Sequence, residues 1–402
     1  MDLSLYVPLG ILGLARWVCW LVRRLPATLY LPYRSAHREP LTVVVPVYQE
    51  DPEVFRTALA SWLANDVEEV ICVIDVTDRR CQEIAAEMSA QARIHGPRLS
   101  VLTITTPGKR PALVAGWVAA RTPLVALVDS DTAWAPDVAH RVCEPFADPK
   151  VGGVGTRQNV WEPHGLWQRI TDMYLDYRYF DENASQTRMG RAVSCLSGRT
   201  AVYRRELLLR YQDEFVSERF LGLPCNSGDD KRLTTLILEA GWDTYMQRSA
   251  RVWSTFPTDG RSFFRQRLRW SRNTWRSDLR ALGRGWVYRR PFLAFTMVDK
   301  AVSSFTLLIS PAYMVVAVVL GHWTVAVLLG AWWFVSRSAK LLPHLRRRPR
   351  SLLLVPAYVG ISFAMALVKI YALATIRRQR WLTRPVEVVD GEVARTGEAR
   401  VA

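Results

Sequence analysis

Three polar clusters interrupt an otherwise apolar chain, and their residue types suit one kind of chemistry. Asp129-Ser130-Asp131 closes an apolar run, Gly228-Asp229-Asp230 follows, and Gln266-Arg267-Leu268-Arg269-Trp270 comes next. Paired carboxylates can hold a divalent cation, which in turn neutralises a diphosphate. A separate carboxylate can accept a proton from a hydroxyl as that oxygen forms a bond. A guanidinium can grip a departing phosphate, and an indole can stack on the apolar face of a sugar. Together these groups fit transfer of a sugar from a nucleoside diphosphate beside a membrane.

Each cluster also has a plainer reading. Asp129 and Asp131 are candidate metal ligands, although turns are rich in aspartate. Asp75 ends another apolar run, with Asp78 three residues on; an acid there accepts from a uracil N–H or a ribose hydroxyl, or sits in a turn. Gly108-Lys109-Arg110 is a flexible turn with two cations for a nucleobase or phosphate, or a solvated loop. Asp229 and Asp230 precede Leu233, Leu236 and Ile237, so they open a helix. One of them is a general base, or one merely caps that helix. Gln266 and Arg269 share a helix face beside Trp270; the alternative is an amphipathic helix resting on lipid.

The elements that position these groups follow from hydropathy. Leu41–Val45 is a β-branched run stopped by Pro46 and reads as a buried strand. Ala58–Leu63 reads as helix, Val70–Ile74 and Val101–Ile104 as strands, Ala112–Ala120 as helix and Leu124–Val128 as a fourth strand. This alternation predicts an α/β fold with a mostly parallel, Rossmann-like sheet. Such sheets bind ligands at the carboxyl ends of their strands, where Asp75 and Asp129 fall. Residues 158–190 mix aromatics and charges at helical spacing, which suits amphipathic interface helices or ordinary core helices.

Composition points to a membrane. The 402 residues carry a net charge of +16 and include 16 Trp. The basic residues cluster beside apolar runs: Arg23-Arg24, Arg289-Arg290, Arg346-Arg347-Arg348, and Arg377-Arg378 with Arg380. That pattern reads as cytoplasmic flanks facing anionic lipid and argues against nucleic acid as a partner. Residues 3–22 form an apolar stretch followed, not preceded, by charge, so a membrane helix within 1–30 is expected, with its start outside the cell. Three further apolar stretches, about 292–320, 322–338 and 351–375, are each near bilayer length. Their topology does not close, because the loop at 345–350 and the arginines after 375 both belong inside. Either Pro356 breaks the last stretch, or the stretch holding Asp299 and Lys300 is partly interfacial. The six cysteines form no C-x-x-C pair, which predicts reduced thiols and no zinc site. The expected organisation is a catalytic domain over 38–260, an interface helix over 261–290, a membrane region over 291–384 and a disordered tail over 385–402.

In this order the clusters resemble the membrane-embedded processive glycosyltransferases of the GT2 family, with a GT-A fold, and hyaluronan and capsular synthases most of all. Val45-Pro46-Val47-Tyr48-Gln49-Glu50 resembles the family's opening strand and loop, which implies that Tyr48 and Glu50 lie by the nucleotide. The resemblance gives Asp75 the uridine, Lys109 and Arg110 the nucleotide, and Asp129 with Asp131 the metal, Mg²⁺ or Mn²⁺. Ser194-Cys195-Leu196-Ser197-Gly198 is similar to the priming loop of hyaluronan synthases, which implies acceptor contact at Cys195 and Ser197. Gly228-Asp229-Asp230 resembles the segment with the catalytic base, here Asp230, with Asp229 beside it. Gln266, Arg269 and Trp270 match the Q-x-x-R-W signature, with Gln266 and Trp270 on the acceptor and Arg269 on the diphosphate. Trp381-Leu382-Thr383-Arg384 resembles a W-G-T-R segment that brings Arg384 to the diphosphate, with Leu382 where glycine is usual. The resemblance implies an inverting transferase at the inner (plasma) membrane with its catalytic domain in the cytoplasm. It would polymerise a UDP-sugar onto a growing polysaccharide and export the product. The alternative is a non-processive enzyme acting on a lipid-linked or short glycan acceptor.

Overall fold

In the computed structural model, which describes residues 7–92, 96–378, 386–389 and 392–395, the first β-branched run folds as β1 (Leu41–Val47). Helices α2 (Pro52–Leu63), α3 (Arg79–Ala92) and α4 (Lys109–Ala119) alternate with β2 (Glu69–Asp75), β3 (Arg98–Ile104) and β4 (Leu124–Val128). Strands β5 (Thr132–Trp134), β6 (Val151–Val160), β7 (Thr200–Arg204) and β10 (Asp243–Ser254) complete an eight-stranded sheet in the order β3-β2-β1-β4-β7-β6-β10-β5. The β3-β2-β1-β4 portion is parallel, and β7 is antiparallel to both its neighbours. A two-stranded ribbon, β8 (Arg219–Phe220) with β9 (Leu223–Pro224), stands apart from the sheet.

Both faces of the sheet are covered. Val43, Val45 and Val47 enter one core layer, with Trp62 of α2, while Val44 enters the other with Trp117 of α4. A strand buried on both sides needs apolar residues at every position, which is why these strands read as unbroken runs. Trp62 and Trp117 are fully buried, and truncating either to alanine is expected to cost about 3–5 kcal/mol. Contrary to the sequence reading, β1 does not stop at Pro46. Pro46 opposes Val73 of β2, whereas pairing with β4 has already ended at Val44, so on that side no ladder donor is needed.

Between β4 and β6 lies α5 (Val138–Cys143). After β6 the chain forms α6 (Gly165–Tyr177), a π-helical turn (Arg178–Glu182) and α7 (Asn183–Gly190). Helices α8 (Arg205–Arg210) and α9 (Gln212–Val216) precede α10 (Asp229–Glu239). The long α11 (Gly260–Arg284) starts at Asp259, whose carboxylate accepts from Ser262 N at 2.9 Å, and stops at Gly285, where φ is +76°. These are a strong N-cap and a glycine C-terminus.

The apolar segments are α1 (Val7–Thr28), α12 (Pro291–Thr306), α13 (Ile309–Val319), α14 (Trp323–Lys340), the short α15 (Leu342–Leu345) and α16 (Val355–Ala374). Among the described residues two stretches, Pro291–Val319 and Pro349–Ala374, are long and apolar enough to cross a bilayer. Pro356 does not break α16. It sits in the first turn, where its missing N–H has no helical partner to lose. Both ends of α16 touch the sheet-bearing body. Val355, Tyr358 and Val359 pack on Ile170 and Met173 of α6. Farther along, Lys369 O accepts from Trp275 Nε1 at 2.9 Å, and Thr375 Oγ1 accepts from Arg272 at 2.9 Å.

Several basic residues expected to face lipid pair with acidic side chains instead, most of them buried. Arg347 pairs with Asp176, and Arg348 Nη1 lies 2.9 Å from Asp172 Oδ2. Arg16 and Arg23 share Asp299, Arg24 lies 3.9 Å from Asp181, and Arg290 lies 3.0 Å from Asp243. The tail expected to be disordered contains a hairpin, β11 (Val386–Val389) antiparallel to β12 (Glu392–Arg395).

Candidate functional site

The carboxyl ends of β2 and β4 open onto a cavity of about 840 Å³. Tyr48, Asp75, Lys109, Asp129, Asp131, Cys195, Ser197, Asp229, Asp230, Gln266, Arg269 and Trp270 all line it. The scattered acids of the sequence therefore do converge. Asp75 Oδ1 accepts from Thr77 N and Thr77 Oγ1 at 2.9 and 2.6 Å. Asp78 does not line the cavity; it accepts from Gln49 N and Cys81 N and organises the turn into α3.

Lys109 is the hub. Its ammonium lies 2.7 Å from Asp129 Oδ1 and 2.7 Å from Asp229 Oδ2. Burial opposes its charge, but the two carboxylates outweigh burial and hold the ammonium above its ordinary pKa. Burial also opposes ionisation of Asp229, and Lys109 outweighs it, so Asp229 lies below the usual carboxylate range. Asp230 moves the other way. Its burial, and then the adjacent Asp229 charge, push its pKa up. The N-cap of α10 is Gly228, at φ +84°, and Asp230 Oδ1 accepts from Lys231 N at 2.7 Å in the first turn. A Cβ at residue 228 would stand 2.9 Å from Asn273 Cγ.

Asp230 is framed by the segment before β7. Gly198 N donates to Asp230 Oδ2 at 3.4 Å, and Cys195 Sγ lies 3.7 Å from the same oxygen. Gly198 sits close against the same groups: a Cβ there would meet Lys109 Nζ at 3.2 Å and Asp229 Oδ2 at 3.6 Å. Burial, and then Asp230, push the Cys195 thiol up to about 12, so it stays protonated.

Asp129 and Asp131 fit a hard divalent cation by donor type. Asp131 Oδ2 accepts from Thr255 Oγ1 at 2.8 Å and lies 3.9 Å from Arg199. Ser130, between the two acids, donates to Glu50 Oε2 at 2.6 Å. Glu50 thus braces the Asp129–Asp131 turn and is not on the cavity wall. A second acidic group, Asp172, Asp176 and His344, has its ligand atoms within 4.8 Å of one another. Arg157, Arg347 and Arg348 already pair with its acids, and His344 Nδ1 lies 2.6 Å from Asp176 Oδ2. That group docks the loop after α14 onto α6.

Arg110 is a correction. Its guanidinium turns away from the cavity into a buried cluster, donating to Phe215 O at 2.6 Å and pairing with Glu218 at 2.5 Å. Lys109 and Arg110 begin one helix, and consecutive helical side chains diverge by about 100°. Arg384 lies outside the described residues. Among the cavity residues that went unread in the sequence are two arginines beside Asp230 and Trp270. Arg178, in the π-helical turn, donates to Cys195 O at 3.2 Å. Arg199 lies 4.0 Å from the Phe256 ring centre and 6.0 Å from that of Trp270. The only signal for Arg199 was its place next to Ser197-Gly198.

Comparison with known proteins agrees with this geometry. A model of "Glycosyltransferase like family 2" matches residues 37–273. An N-acetylglucosaminyltransferase of Rhizobium meliloti is 30% identical over 369 residues, spanning 89% of this chain and 84% of its own. A type 2 glycosyltransferase of Gibberella zeae is 27% identical, spanning 86% of this chain and 68% of its own. A mannosyltransferase from Pyrobaculum calidifontis, solved with GDP-mannose and Mn²⁺, superposes with a TM-score of 0.66 at 20% identity, covering 93% of this chain and 99% of its own. The chain belongs to glycosyltransferase family 2, is a glycosyltransferase, and carries the GT-A fold that the resemblance of its motifs implied.

Proposed function

We propose that this protein transfers a sugar from a UDP-sugar to a hydroxyl of a growing glycan, with inversion at the anomeric carbon. The observation that carries the reading is the Lys109 bridge, which joins the donor-side acid Asp129 to the helix bearing Asp230. Tyr48 and Asp75 receive the uridine. Asp129 and Asp131 would hold Mg²⁺ or Mn²⁺, which supplies charge neutralisation of the diphosphate when bound. Lys109 and Arg269 stabilise the charge that develops as UDP departs. Asp230 takes the proton of the attacking hydroxyl. It suits that role because burial raises its basicity while Lys109 keeps its neighbour Asp229 ionised. Trp270 stacks on the acceptor sugar, with Gln266 beside it, and Cys195 and Ser197 flank the acceptor end.

The relatives' name makes UDP-N-acetylglucosamine the first donor to try. The cavity runs past Trp270 to residues of α1, α12, α14 and α16, which supports an acceptor longer than one sugar, and so a polysaccharide product led across the membrane. The catalytic body lies in the cytoplasm at the inner membrane. α1, α12 with α13, and α14 cross the bilayer, while α16 lies along its surface. The support is geometric: a helix of 20 residues is about 30 Å long, yet both ends of α16 bond to α6 or α11. This arrangement puts the 345–350 loop and the arginines after 375 on one side, as the positive-inside rule requires. The test is a donor panel with purified protein, scored for UDP release and product length together. Release without chain growth would favour the short-acceptor alternative, and no release from any donor would refute the reading.

A further inference from the structure

The cavity changes character beyond Trp270. Its far wall is cationic, lined by Arg16, Arg23, Lys300, Arg337, Lys340 and Lys369. Three of these are matched: Arg16 and Arg23 by Asp299, and Lys300 by Glu182 at 2.8 Å. Among the described residues, Arg337, Lys340 and Lys369 have no carboxylate within 4.0 Å. Lys340 rests instead over the rings of Trp17 and Trp20, at 5.5 and 5.7 Å. Around them the wall is apolar, with Leu307, Leu329, Trp332 and Phe363. Unmatched cations against apolar walls are costly, and they are kept where a ligand supplies the missing charge.

We propose that Arg337, Lys340 and Lys369 form an anion subsite for the acceptor. The acceptor chain, or the lipid that carries it, would place a carboxylate or phosphate there while its reacting hydroxyl lies at Asp230. This rests on the transferase reading above and names the acceptor's chemical class, which that reading leaves open. The subsite and the reaction centre share one continuous cavity, so one extended ligand spans both. A neutral glycan would leave Arg337 and Lys369 without an opposite charge at this wall, and Lys340 with only the two indole rings. An anionic group would complete it with charge-assisted hydrogen bonds, each worth more than a neutral one.

The test uses the full chain in discs of zwitterionic lipid. Three acceptors are compared by UDP release: a neutral N-acetylglucosamine tetrasaccharide, a tetrasaccharide alternating glucuronate with N-acetylglucosamine, and N-acetylglucosamine on a polyprenyl diphosphate. Donor hydrolysis without acceptor is the control for the transferase site itself. At least one anionic acceptor is expected to show a KM about tenfold or more below the neutral one, the scale of one charged hydrogen bond. Which anionic acceptor gains tells glycan carboxylate from lipid phosphate. Arg337→Gln and Lys369→Gln are each expected to erase most of that gain while donor hydrolysis holds, and Arg337→Lys to restore it. The Lys369 carbonyl, not its side chain, holds Trp275, so the glutamine variant leaves that contact in place. Equal KM for all three acceptors, or variants that weaken neutral and anionic acceptors alike, would overturn the subsite. Loss of donor hydrolysis in the unmodified chain would instead refute the transferase reading beneath it.

Discussion

Lys109 Nζ stands 2.7 Å from Asp229 Oδ2 and the same distance from Asp129 Oδ1, so one ammonium links the carboxyl end of β4 to the first turn of α10, the two elements that the proposed function gives to donor and base. Lys109→Met would leave two partly buried carboxylates without their shared partner. Turnover is expected to fall by about 10²–10³, the scale of losing one preorganised electrostatic group. Steady-state UDP release at saturating donor measures this; a loss below threefold would place the stabilising charge elsewhere.

As the proposed base, Asp230 is expected to set the acid limb of the pH profile. Burial and the Asp229 charge raise its pKa, and only the ionised form accepts a proton. The acid limb of kcat/KM therefore sits above the ordinary carboxylate range. Because folding raises this pKa, the stability that Asp230 contributes is complete below an ordinary aspartate pKa. It is lost as pH rises through the folded value. Asp230→Asn is thus expected to melt higher than the parent at neutral pH, which thermal denaturation reads directly.

Gly198 is predicted to be sensitive to a side chain for activity rather than for folding. An added Cβ at 3.2 Å from Lys109 Nζ forces the hub to shift. Displacements of this kind cost up to about 10²-fold in rate. Gly198→Ala should fold as the parent does, by melting temperature, and lose kcat far more than donor affinity.

Asp176 tests the docking of the loop after α14. It is buried, and His344, Arg157 and Arg347 surround it. Asp176→Ala leaves Arg157 and His344 without their partner, and removing one side of such a buried pair costs about 3–5 kcal/mol. A melting temperature unchanged from the parent would show that the loop is held by apolar packing alone.

The parallel half of the sheet was legible because strands buried on both faces leave unbroken β-branched runs, and the two acids at their ends mark the ligand edge. The direction of Arg110 was not legible, since its partner Glu218 lies far along the chain and only tertiary packing brings them together. The same distance hid the acids that neutralise Arg23, Arg347 and Arg348. From sequence such arginines look like lipid flanks, because a run of charge carries no record of what folds against it. Hydropathy likewise cannot tell a crossing helix from one pressed along a surface, and it gave no sign that α16 packs on α6 near its start and reaches Trp275 and Arg272 near its end. Arg178 was hidden because a π-helical turn has no sequence period of its own.

The most direct measurement is single-turnover transfer of a labelled sugar by Asp230→Asn beside the parent, with UDP affinity measured on the same samples. The account predicts that UDP binds both proteins alike and that sugar transfer drops by about 10²–10⁴, the usual weight of a general base. Transfer by the variant at the parental rate, with UDP bound equally well, would show that the proton leaves by another route and that the convergence of these acids has a different purpose.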